Sequence, residues 1–103
     1  MTRHDVLPWL EQRRPAPPPA FAAHLAAVAA DAPALQPESL PAHLVELGQR
    51  LLARVTATPG GGRELALDLL AADAFVTYGF EAQAEVDVDA LTALAERVAG
   101  AGR

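Results

Sequence analysis

ELALDLLAADAFVTYGFEAQAE, residues 64–85, winds into a helix that is apolar on two sides. At 100° per residue, Leu65, Leu69, Ala72, Val76 and Phe80 share one arc. Leu67, Ala71, Ala74, Tyr78 and Ala82, with Phe75 near its edge, share a second. A helix with one wet face needs only one apolar stripe, so this stretch reads as the centre of a helical packing unit. Asp73, Thr77 and Glu81 fall on one seam between the arcs, and Glu64 and Asp68 on the other, near the amino end where acids suit the helix dipole. Gly79 in mid-helix costs about 1 kcal/mol relative to Ala, a cost that a close helix crossing would offset.

Upstream, a helix is expected from the Ser39 cap to about Ala57, with Pro41 in its first turn. Leu40, Leu44, Leu47, Leu51 and Val55 line one face, and Glu46, Gln49, Arg50 and Arg54 the other. Glu46 and Arg50 stand in the favourable i, i+4 order. Thr58-Pro59-Gly60-Gly61-Gly62 stops this helix. So short a link joins antiparallel neighbours. Downstream, Asp87 or Asp89 caps a last helix to about Ala99, with Leu91, Leu94, Ala95 and Val98 as its face. Gly100 and Gly102 end it, and the tail is expected to fray.

Toward the amino end, a second helix is expected from about Pro19 to Ala30, with Phe21, Leu25 and Val28 on one face and Ala almost everywhere else. Asp31 and Pro33 end it, and a loop follows to Glu38. Pro15 to Pro19 is a stiff polyproline spacer, with Pro19 suited to the first position of the following helix. Pro15 and Pro18 with Arg14 also fit a short PxxP ligand pattern, which is common by chance. A short first helix, about Asp5 to Arg14, carries Val6, Leu7 and Leu10 on a stripe with Trp9 beside it; Asp5 can cap its first turn.

The expected fold class is all-α, a small antiparallel bundle of four main helices with a short extra N-terminal helix. The 103 residues are read as a single helical domain: residues 5–14 the short helix, 15–19 the proline linker, 19–99 the bundle. Ala and Leu dominate, Ile is absent and β-branched residues are few, which favours helix. Ala buries little area, so the core is thin and rests on a few Leu and Phe anchors.

The net charge is −5, with eight Arg, no Lys and no basic patch, against nucleic-acid binding. There are no cysteines, which excludes disulfides, thiol chemistry and thiolate metal sites. The amino-terminal residues lack the order of a secretory signal, and no stretch is apolar enough to span a bilayer. A cytoplasmic, acidic, membrane-free protein is expected.

Candidate chemistry is sparse. His43 and Glu46 are three apart on one helix, but a metal needs more ligands than that pair supplies; they are read as a solvated polar face. His4, His24 and His43 fall on different elements, and Ser39, the sole serine, is taken as a cap rather than a nucleophile. Glu38-Ser39-Leu40 superficially resembles the Asp-Ser-Leu at which carrier proteins take phosphopantetheine, but it lacks the preceding Gly and is followed by Pro41. Leu70-Ala71-Ala72-Asp73-Ala74-Phe75, with Phe80-Glu81, resembles one internal helix of trans-prenyl diphosphate synthases; their aspartate-rich motifs are absent and no site carries over.

Asp73 stands out, flanked by Ala72 and Ala74 between two apolar arcs. Burial there would raise its carboxyl pKa unless Tyr78 or a backbone group hydrogen-bonds it. The functional expectation is a protein without catalysis, cofactor or metal. It acts by contact with a copy of itself or another protein, since thin bundles gain stability by association. Trp9, Leu10, Phe21 and Leu25 are the expected contact surface. The alternative is an interhelical pocket for a small molecule or metal around Asp73, Thr77, Tyr78 and Glu81. An exposed apolar patch would favour the first, an enclosed cavity the second.

Overall fold

A computed structural model of the chain describes residues 6–31 and 39–101. His4, the Asp5 cap, the loop containing Pro33 and Glu38, and the tail at Gly102 lie outside the described residues. The chain is all-α. Its helices are α1 (Val6–Glu11), α2 (Pro19–Asp31), α3 (Leu40–Ala57), α4 (Arg63–Val86) and α5 (Leu91–Ala101). A short 3-10 turn, Val88–Ala90, leads into α5.

Local chemistry sets the ends. The Ser39 hydroxyl oxygen accepts from the Ala42 amide at 3.3 Å, which caps α3 with Pro41 in its first turn. Gly62, at φ 131°, starts α4 without a side-chain cap; this left-handed region favours glycine, and Glu64 supplies the first-turn acid. The Asp87 carboxylate accepts from the Asp89 amide at 3.1 Å, so Asp87 caps the 3-10 turn rather than α5 itself. α1 stops at Glu11, short of the expected Arg14. The Gln12 and Arg13 amides turn back to the Trp9 and Leu10 carbonyls, both at 3.2 Å, and Pro15 disfavours helical backbone at Arg14. Gly100 does not end α5, which continues to Ala101.

α3 and α4 form an antiparallel pair and make by far the largest contact between helices. Two glycines bring their backbones together. A Cβ built on Gly48 would stand 2.7 Å from Val76 Cγ2 and 2.8 Å from the Ala72 carbonyl oxygen. One built on Gly79 would stand 2.5 Å from Val45 Cγ2 and 3.2 Å from the Pro41 carbonyl oxygen. Each helix thus places a glycine against the other's main chain. The expected close crossing at Gly79 is present, and Gly48 matches it from the other side.

One face of this pair is the core. Leu44, Leu47 and Leu51 of α3 and Ala71, Phe75 and Ala82 of α4 meet Val6 of α1 with Leu25 and Ala29 of α2. The second apolar arc of α4 therefore carries most of its share of the core, joined by Ala72 of the first arc. α4 is central as expected, packing against α2, α3 and α5, and α3 shares that position, since Pro41, Ala42, His43, Leu44 and Val45 are all buried in succession. His43 is 1% exposed, which corrects its reading as part of a solvated face. The approach at Gly79 lays α4 over Pro41 and Val45, and α1 packs on the same helix.

Denaturant unfolding should rank the glycines by what a methyl would meet. Gly48→Ala should cost about 1–3 kcal/mol, because the Ala72 backbone cannot step aside. Gly79→Ala should cost less: its closest contact is the Val45 side chain and the nearest backbone atom is 3.2 Å away, while both positions, being mid-helix, gain the same helix propensity of about 1 kcal/mol. Gly100→Ala, with nothing within 4 Å of the new methyl, should be neutral or stabilising. In the same assay Phe75→Ala should lose about 3–5 kcal/mol, as for any fully buried Phe. A Gly48→Ala protein as stable as the parent would mean the backbones do not touch.

Candidate functional site

The side of the α3–α4 pair away from the core is open. Leu52 is 44% exposed, Leu69 49% and Leu70 58%. They border a groove of about 760 Å³ whose other walls include Ala53, Ala72, Val76 and Val98. Gly48, lacking a side chain, leaves backbone at the groove floor. Among the described residues, α5 reaches this groove through Val98. Leu69, expected on a buried arc, is half exposed instead. Scattered apolar residues are ordinary at a protein surface; here neighbouring leucines rim one groove.

Asp73 sits on the wall of this groove, and its side is wet. Thr77 and Glu81 are exposed as well, and Tyr78 is half-buried. Asp73, Thr77 and Glu81 are open to solvent along their seam, whereas Tyr78 packs against the core. Among the described residues Asp73 makes no hydrogen bond to Tyr78; the Tyr78 ring instead meets Trp9 edge-on, with centroids 5.6 Å apart and planes at 77°. The expected contact surface is also used within the chain. Leu25 is fully buried, and Trp9, Leu10 and Phe21 are partly buried against the same core. No group of three or more His, Asp or Glu side chains converges among the described residues.

No family model, curated protein or solved structure matches this chain.

Two polar clusters fasten the helices around the pair. At one end, His24 Nε2 of α2 lies 2.9 Å from Asp68 Oδ1 of α4, and Arg54 Nη2 of α3 lies 3.4 Å from Asp68 Oδ2. At the other, Arg13 is buried and folds its guanidinium 3.5 Å above the Trp9 ring centroid. Its Nη1 donates to Glu85 Oε2 at 2.8 Å and to Glu81 Oε1 at 3.3 Å. The Trp9 indole donates to Glu85 Oε1 at 3.0 Å, and Arg13 Nε returns to the Trp9 carbonyl at 3.0 Å. Glu81 thus acts from the surface as an anchor for α1, not as a pocket residue. Sequence reasoning missed this latch. Its only trace is spacing: Trp9 and Arg13 are four apart, as are Glu81 and Glu85.

The latch shifts its own ionisations. Hydrogen bonds from Arg13, then Trp9, hold the Glu85 carboxyl below its ordinary 4.5. Burial, helped by the Glu81 charge and opposed by Arg13, raises the Tyr78 hydroxyl above its ordinary 10.0.

Since Glu85 is more acidic folded than unfolded, its contribution is complete above 4.5 and is lost as pH falls through the lower folded value. Its side chain is 49% exposed, so the effect on global stability is small. It should show as local release of α1. Trp9 is the sole tryptophan, so its fluorescence reads that release directly. Acid titration should move its emission to the red below pH 4.5, and Glu85→Gln should abolish that transition. A transition unchanged by the substitution would assign it elsewhere.

Proposed function

We propose that this chain is a small cytoplasmic protein without catalytic activity that acts by binding another protein chain, through the open side of its α3–α4 pair. The observation that carries this reading is the open groove between exposed Leu52, Leu69 and Leu70. Its size falls within the range of interhelical binding sites, but it is a trough rather than an enclosed cavity, which suits a helix better than a small molecule. The competing reading, a ligand or metal pocket around Asp73, Thr77, Tyr78 and Glu81, has less support because three of those residues are exposed. Among the described residues no helix is long and apolar enough to cross a membrane.

In-cell chemical crosslinking of the tagged chain tests the reading. A discrete crosslinked species should form, and Leu52→Asp with Leu70→Asp should remove it. Both side chains are substantially exposed, so the paired variant should keep the parent's helical circular dichroism. A chain that crosslinks to nothing, or whose species survives the paired variant, would sink the proposal.

A further inference from the structure

The face of α4 opposite Phe75 carries a pattern that fits itself. At 100° per residue Arg63, Ala66, Leu69, Leu70, Asp73 and Thr77 fall on one stripe. All are exposed. Among the described residues neither Arg63 nor Asp73 forms an ion pair. An arginine at one end of a leucine pair and an aspartate at the other is self-complementary about a twofold axis. If two copies of α4 lie antiparallel and cross near Asp68, Arg63 of each stands opposite Asp73 of the other. Ala66 then stands opposite Leu70, twice over, and the small Ala66 admits the larger side chain. A twofold contact requires this reciprocity.

We propose that the partner on this face is a second copy of the chain, paired antiparallel through α4, with Arg63 and Asp73 forming two symmetric ion pairs around Leu69 and Leu70. This rests on the contact reading above and names its occupant. Charge complementarity favours a second copy over an unrelated apolar helix, which has no reason to bring a base and an acid at this spacing. The same arrangement lays Leu69 and Leu70 of one copy beside the Leu52 groove of the other. One helix pair with part of a groove is a small interface, so association in the micromolar range is expected.

Sedimentation of the purified full chain from about 1 to 500 μM tests this, spanning the affinities expected of so small an interface. The parent should pass from monomer to dimer, and Leu70→Asp should abolish the dimer. Arg63→Asp sets two acids opposite each other at both ends, and Asp73→Arg two bases. Each alone should weaken the dimer roughly tenfold, the scale of two exposed pairs turned repulsive. The two combined should restore it to within about threefold, since the pairs are re-formed with reversed sign. That rescue is specific to antiparallel pairing in this register. A parent that stays monomeric, a dimer indifferent to Leu70→Asp, or a double reversal without rescue would each overturn the proposal. A monomeric parent whose crosslinked species in cells still depends on Leu52 and Leu70 would overturn self-pairing alone and leave the broader contact reading standing.

Discussion

Two helices that touch by their backbones constrain everything else in this protein. At Gly48 and Gly79 the α3 and α4 main chains approach too closely for a methyl group. Most helix pairs are held apart by interleaved side chains and meet 8–10 Å between axes. Here a side chain would not fit at either glycine, and close contact of each glycine with a valine and the main chain of the opposite helix replaces part of the missing apolar area. That matters in a chain built largely of alanine, where side chains contribute little burial. The register is fixed too, because the glycines sit on different helices and each needs its own clear stretch of the opposite backbone. Sliding the pair by one turn would bring a residue with a side chain to each gap.

The remaining helices take positions that this pair leaves open. α1 and α2 add Val6, Leu25 and Ala29 to the face bearing Phe75. They are too short or too poor in large side chains to hold there by area alone, and each is tied to α4 by a polar cluster. Asp68 receives α2 through His24, and Glu81 with Glu85 receives α1 through Trp9 and Arg13. The acids of α4 that point toward these helices are therefore fasteners. Asp73, on the far side, has no such duty.

The sequence was most legible where period and propensity agree. The extents of α3 and α4, the Ser39 cap and the close crossing at Gly79 all follow from the residues. Gly48 was overlooked because the leucine stripe around it reads as a normal amphipathic helix that tolerates one glycine. Periodicity also could not rank the two arcs of α4. Both are apolar, and the choice between them depends on which arc the partner helices can reach. Asp73 drew notice for standing among apolar residues, yet its neighbours at 72 and 74 point elsewhere on the helix and do not desolvate it. His43 is the opposite case: its own helix face reads as polar, yet it is 1% exposed. The Trp9–Glu85 bond spans 76 positions, so no local pattern announces it.

The link between α3 and α4 has a quite different status from the crossing it serves. Gly60, Gly61 and Gly62 are exposed, and no atom stands near where their side chains would be. Two of the three hold positive φ, so the link is shaped for turning. Its work is to keep two helices at high mutual concentration, and the information that pairs them lies in the glycine contacts. Such a join is separable from what it joins. The chain could be divided there into two pieces that recognise one another, each of which lacks half of a core until the other arrives. A protein arranged in this way is in effect already a complex of two complementary parts, carried on one strand.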